Sequence, residues 1–249
     1  IKFTKENMAE QYYITTIKDL NIFTVAKKNN VKKLITLGNL HAYPGNINGK
    51  LRENKIFNGL PAHSHLGIGW AKRNLSIITD IYGRNNNKTK FITIYAANCY
   101  GPGDTLDLNH GHIIPKLIIQ CLKNKDFDLF GSLNAVREFI YVKDLAKIII
   151  LSLAKINQST FFNVGSGESI KIKNLVNKIK NKTSFSKKIY SKSRIIDNSK
   201  RICGDYNLNK KLGYKIIYKL DKGLEETIKW YKNFYSINLD ERFIISQIE

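Results

Sequence analysis

The sequence predicts an α/β fold: a parallel sheet wound with helices, followed by a smaller α/β region toward the C-terminus. Three observations predict it. Segments with helical spacing alternate with short runs rich in β-branched residues. Those runs are apolar throughout rather than alternating, as parallel strands buried on both faces are. At 249 residues the chain is also long enough to bury the core that such layers need.

Glu6 to Asn29 carries Ile14, Ile17, Phe23, Val25 and Ala26 at roughly helical spacing, and Asn29-Asn30 breaks the pattern. Val31–Gly38 (VKKLITLG) is a short apolar run ending on glycine, the pattern of a buried strand. A polar loop rich in Gly and Asn runs to about Ser64. Ala71–Tyr82 is helical again, with Leu75, Ile78 and Ile81 on one face, and Lys90–Ala96 (KFITIYA) is the next strand. Ile113–Asn124 reads as a helix that tolerates Pro115 in its first turn. Phe127–Phe130 is a short strand, Val142–Ala154 a helix, and Thr160–Val164 a strand ending at Gly165-Ser166-Gly167. Ser169–Lys182 reads as a helix with Ser169 as its N-cap, and Thr183–Ser199 as a polar, basic surface stretch. Leu220–Tyr235 is amphipathic, with Leu224, Ile228 and Tyr231 on one face. No GxGxxG or GxxGxxG loop follows any strand, and Gly165-Ser166-Gly167 reads as a turn because the third glycine is missing.

The formal net charge is +21, most of it from lysines scattered singly or in pairs such as Lys27–Lys28 and Lys187–Lys188. No basic stripe interleaves them with aromatics, so the reading is against nucleic acid; a general attraction for anionic substrates remains. Cys99, Cys121 and Cys203 form neither a metal pattern nor a disulfide framework, which suits a reducing cytoplasm and a site without metal. The longest apolar run, near Ile148–Leu153, is too short to span a bilayer, and no leader opens the chain. The first residue is Ile1 rather than Met, which reads as a fragment or a trimmed product.

Five segments in one order resemble extended short-chain dehydrogenases/reductases that act on nucleotide sugars: KLITLGNLHAYP (Lys33–Pro44), GIGWAKR (Gly67–Arg73), ANCYGPGD (Ala97–Asp104), NHGHIIP (Asn109–Pro115) and GSLNAVREFIYVKDL (Gly131–Leu145). The tail Arg201–Tyr214 fits the same pattern. The His-x-x-Pro element of His112–Pro115 narrows the resemblance toward NAD(P)-dependent epimerases of the GDP-L-fucose synthase type. It covers nearly the whole chain but begins inside the family's first domain. The implied fold is a partial doubly wound, Rossmann-like parallel sheet with a smaller C-terminal substrate-binding region. Residues 1–105 would be the C-terminal part of a truncated dinucleotide-binding domain. Residues 106–249 would form the substrate region, with a strand and helix at about 139–165 returning to the first sheet.

The resemblance also implies site residues. Family members use a tyrosine as general acid/base, a lysine four residues later that lowers the tyrosine's pKa and holds the nicotinamide ribose, and a serine that orients the substrate oxygen. A phenol needs such a nearby cation to exchange protons near neutrality. Here Lys72 takes the lysine position, Ile68 stands at the tyrosine position and Asn39 at the serine position. His41 takes the place of a cysteine implicated in epimerisation, and His112 matches a substrate-proximal histidine. Lys72, His112, His41 and Asn39 are thus the catalytic candidates. Gly38, Asn39, Lys72, Asn98 and His112 are the candidates for NADP, and Phe130, Arg137 and Asp197 those for the nucleotide sugar, a GDP-sugar by resemblance. His63 and His65 read as loop residues without a titrating task, and Tyr141 and Asp144 as packing and capping the following helix. With Ile68 unable to exchange a proton, the implied epimerase/reductase activity is impaired or lost. The alternative is a non-catalytic nucleotide-sugar-binding or scaffold relative, and a homodimer is the assembly the family would suggest.

Overall fold

The computed structural model describes residues 7–84, 88–108, 111–192 and 198–237, with the side chains of 235–237 outside that description. Asp197 and the pair 109–110 lie outside the described residues. In chain order the elements are α1 (Met8–Lys28), β1 (Lys33–Asn39), β2 (Gly49–Leu51), α2 (Leu66–Arg84), β3 (Lys90–Ala96) and β4 (Asn98–Tyr100). Then come α3 (Ile113–Lys123), β5 (Phe127–Phe130), β6 (Val136–Tyr141), α4 (Val142–Lys155), β7 (Thr160–Val164) and β8 (Ser169–Lys171). The last are α5 (Ile172–Thr183), β9 (Ile189–Lys192), β10 (Lys200–Cys203), α6 (Asn207–Leu212) and α7 (Leu220–Ile237).

The apolar runs become a parallel sheet of order β1-β3-β7. β1 and β3 pair in register from Lys33↔Lys90 to Asn39↔Ala96, and β3 pairs β7 from Ile92↔Thr160 to Ala96↔Val164. Parallel neighbours need a crossover rather than a hairpin, and α2 and α4 supply the length. Ile92, Ile94 and Val164 are buried against Leu145, Ile148 and Leu208 on one face. On the other, Phe91 stacks on Phe23 of α1 at 5.1 Å, beside Leu75 and Ile78 of α2. β1 is an edge: among the described residues it has no strand on its far side, and Leu37 is 45% exposed.

A second sheet runs β2-β10-β6-β4, with β8 antiparallel on β6, and β5 pairs β9 apart from it. Its core joins α3, α5 and α7 through Leu117, Ile118, Leu175, Ile179, Leu224 and Tyr231.

Four local expectations change. Ser169 is not an N-cap: it starts β8, and α5 begins at Ile172 after Lys171, because β6 offers Ser169–Lys171 a strand partner. Part of the polar stretch after Thr183 is strand β9, whose Ile189 pairs Phe127; the next three residues are exposed, so the strand carries no hydrophobic alternation to read. Asp144 does not cap α4; it is buried and accepts hydrogen bonds from Tyr214 Oη at 2.6 Å and from the amides of Ile217 and Tyr218. On α1 only Phe23 and Ala26 of the apolar set are buried, since α2 covers one side and leaves Ile14, Ile17 and Val25 exposed.

Candidate functional site

The site is built on the segment joining β1 to α2. This stretch has little regular structure, so its backbone polar groups need partners elsewhere. Arginines supply several. Arg73, fully buried on α2, donates from Nε to the Ala42 carbonyl and from Nη1 to that of Gly59, both at 2.7 Å. Its guanidinium lies over the Trp70 ring at 4.7 Å. Arg201 of β10 donates to the carbonyls of Leu40 and Pro44, one residue before His41 and three after it. Asn163 of β7 donates to the Leu51 carbonyl, accepts from Tyr43 Oη at 2.6 Å, and its amide donates to Glu53. The loop is therefore held from α2, β7 and β10 at once, and its position is set by tertiary contacts.

Ile68 and Lys72 lie one turn apart on α2 and share a face. Tyr95 Oη donates to the Lys72 carbonyl, which puts Lys72 near the C-terminal end of β3. The Lys72 ammonium is 3.6 Å from Asp19 Oδ2 of α1, with both side chains mostly buried. Burial pushes the ammonium below the usual lysine range, and Asp19 opposes that shift. Ile68 is partly exposed, so its face of α2 is open to a ligand yet carries no titratable group.

Histidines and arginines gather around the turn that follows β1. Asn39, at the end of β1, accepts the His41 amide at 3.1 Å and so turns the chain into the short helical turn Leu40–Ala42. A Cβ on Gly69 would stand 2.9 Å from the His41 carbonyl, which seats His41 against the first turn of α2 beside Ile68. The His41 and His65 rings stack at 4.2 Å and 12°, and His65 Nδ1 is 2.8 Å from Ser64 Oγ. Arg137 and Arg201 stand opposite each other in the β6–β10 register. Arg137 Nη1 donates to the carbonyls of Val136 and Ser199. Burial first, then the charges of His65, Arg201, Arg137 and His112, push His41 down to about 3. His41 is accordingly a neutral imidazole at neutral pH. His112, 79% exposed at the N-cap of α3, is 3.7 Å from Asp104.

Other candidates sit as follows. A Cβ on Gly38 would collide with the Tyr95 ring, so this glycine serves strand packing. Asn98 is exposed at the start of β4 and donates to the Glu138 carbonyl. Phe130 is 61% exposed rather than core. Asp197 lies outside the described residues. The structure therefore brings Asn39, His41, His112 and Arg137 into one neighbourhood, with Lys72 a turn beyond Ile68. It adds His65 and Arg201, which spacing did not single out. Arg201 sits on a strand whose register with Arg137 is non-local, and His65 is an ordinary loop residue until His41 is seen to stack on it.

Residues 1–165 match the family model described as the NAD dependent epimerase/dehydratase family. The chain is 27% identical over 245 residues to the GDP-L-colitose synthase of Yersinia pseudotuberculosis, covering 94% of this chain and 75% of that protein. It is 26% identical over 242 residues to the GDP-L-fucose synthase of Dictyostelium discoideum, covering 94% and 73% respectively. Among solved structures, a GDP-6-OMe-4-keto-L-xylo-heptose reductase from C. jejuni superposes with a TM-score of 0.84 at 24% identity, covering 92% of this chain and 78% of that one. At that identity the superposition establishes the fold. No helix among the described residues is long and apolar enough to cross a membrane.

Proposed function

The chain belongs to the NAD dependent epimerase/dehydratase family, and from that premise we propose that it binds a GDP-sugar of the GDP-L-fucose synthase type beside Ile68 and the turn that follows β1. The observation that carries this reading is the Arg137–Arg201 pair, two arginines in register on neighbouring strands whose charges both reach His41. A guanidinium fork suits a diphosphate better than a point charge does. Exposed Phe130 supplies a ring for the base or sugar, and Asn39 and Asn98 supply hydrogen-bonding amides at strand ends.

NADP is the dinucleotide this reading implies. The fit is partial. Lys72, with a long contact to Asp19 and some exposure, suits ribose hydroxyls. No strand–glycine loop–helix unit among the described residues supplies backbone amides for the dinucleotide's phosphates. When bound, the dinucleotide supplies hydride. This chain's own residues position the sugar but do not protonate it in the family's way: Ile68 has no proton to give, and Asn39 can orient an oxygen only by hydrogen bonding. Loss of a positioned acid costs proton-coupled steps about 10²–10⁴-fold. The reading is therefore a nucleotide-sugar epimerase/reductase relative with binding retained and turnover impaired; a purely scaffold role is the second reading, favoured by Ile68.

Calorimetric titration with a GDP-sugar tests it. Arg137→Ala should weaken binding roughly ten- to a hundred-fold, since a charge-assisted hydrogen bond contributes about 1.5–3 kcal/mol. Absence of binding, or binding indifferent to Arg137 in a variant that still unfolds cooperatively, would remove the nucleotide-sugar reading.

A further inference from the structure

The basic stretch after Thr183 helps to build a groove that the nucleotide-sugar reading does not use. Helix α5 lies against the parallel pair β5–β9, and between them is a cavity of about 400 Å³. Its floor is apolar, from Leu129, Leu133, Val176 and Ile189. Four lysines line it: Lys173 and Lys180 from one face of α5, and Lys187 and Lys188 from the approach to β9. Lys180 Nζ stands 5.7 Å from the ring of buried Phe185. The lysines of α5 thus divide into two sets. Lys178 and Lys182 meet acids of α7, Asp221 at 2.8 Å and Glu225 at 2.6 Å. Lys173 and Lys180 turn to the groove, whose lining among the described residues holds neither Asp nor Glu. The acids near it are engaged elsewhere: Asp128 lies 2.7 Å from Lys192, and Asp126 accepts from the Lys188 amide and from Tyr190 Oη. Asp126 is held below the usual carboxylate range first by that amide and only then by the charges of Lys188 and Lys187.

We infer that this groove binds a phosphate ester with a planar, largely apolar body, the class to which nucleoside polyphosphates belong. None of its lining residues is among those placed beside Ile68, so it is a second site. Ammonium groups act on phosphate as point charges and need no planar fork, which suits a chain of phosphates better than a single carboxylate. Four like charges around one groove repel one another, and a multiply charged anion relieves that repulsion. Leu129, Leu133 and Ile189 are only partly buried, so covering them with an apolar body removes exposed apolar surface from water. The cavity also has the volume of a small-molecule site.

The test is calorimetry of the full chain with ATP, free of divalent cations, at about 0.15 M salt, where charges beyond about 8 Å are largely screened. Lys173→Ala combined with Lys180→Ala should weaken ATP binding roughly three- to thirtyfold, since two exposed charge contacts are lost. Lys178→Ala combined with Lys182→Ala removes the same charge from the same helix and should change the affinity less than about twofold. Inorganic tripolyphosphate carries the charge without the body and should bind roughly tenfold more weakly than ATP. Equal losses in the two double variants, equal affinity for ATP and tripolyphosphate, or no saturable binding at millimolar ATP overturns the inference and leaves the nucleotide-sugar reading standing. ATP binding that is lost in Arg137→Ala but kept in the Lys173/Lys180 double variant would assign ATP to the nucleotide-sugar site and overturn the second site.

Discussion

Protonating His41 should cost the fold stability in a way that one substitution isolates. Its pKa is near 6.5 when unfolded and about 3 in the folded chain, because burial and surrounding positive charge disfavour the imidazolium. The shift is downward on a base, so the unfolded chain binds the extra proton between those values. Stability from keeping His41 neutral is complete above about pH 6.5 and is lost as pH falls toward 3. Integrating the linkage gives a loss of roughly 0.2 kcal/mol at pH 7 and roughly 2.7 at pH 4.5, a difference of about 2.5 kcal/mol. Glu53 and Glu138, whose carboxyls burial pushes upward, act in the opposite sense, so the wild-type curve alone is uninformative. Urea unfolding of the wild type and of His41→Gln at both pH values removes that background, and the wild type should lose about 2–3 kcal/mol more than the variant. Parallel losses, within about 0.5 kcal/mol, would refute the assignment of a neutral, proton-excluding His41.

Arg73→Met strands the carbonyls of Ala42 and Gly59 and should cost about 2–4 kcal/mol by denaturant unfolding; a loss under about 1 would mean the loop is held adequately by Arg201 and Asn163. Glu138→Gln turns an acceptor toward the donors of Gly167 and Cys203 into an amide N–H, so a loss of about 2–3 kcal/mol is expected in the same assay, and neutrality would show that the site relaxes. Ile68→Tyr places a phenol one turn before Lys72; spectroscopic titration should find it ionising below about 10, and a value at or above that would show Asp19 has taken the cation out of play.

The strands β1, β3 and β7 and the helices of the first sheet were legible because each is a run long enough for its periodicity to speak, and Lys90–Ala96 and Thr160–Val164 coincide with the observed strands. The three-residue strands β2, β4 and β8 were not, since three residues carry no period and their pairing is decided by distant partners such as Arg201↔Gly49. The candidate site divides in the same way. Asn39, His41, Lys72, His112 and Arg137 stand in local motifs and could be named from them. The stacking of His65 on His41 and the facing of Arg201 on Arg137 are contacts between residues 24 and 64 positions apart, formed only after the loop is pinned. Nothing in the local sequence announces that Lys72 would meet Asp19 across two helices.

Among the described residues no strand covers the outer edge of β1, and this has a kinetic consequence. Its outward N–H and C=O groups can be satisfied by water or by another strand, and exposed Leu37 makes the second partner attractive. Refolding then becomes a race between a unimolecular step, closure of β3 and β7 onto β1, and a bimolecular encounter of two such edges. The first is indifferent to protein concentration and the second rises with its square, so recovered monomer should fall as the refolding mixture is made more concentrated. The net charge of +21 slows the encounter by repulsion between copies, and Lys32 and Lys33 sit where the edge begins. Salt screens that repulsion over about 8–10 Å at ordinary ionic strength while leaving strand pairing intact. Added salt should therefore lower the yield of refolded chain.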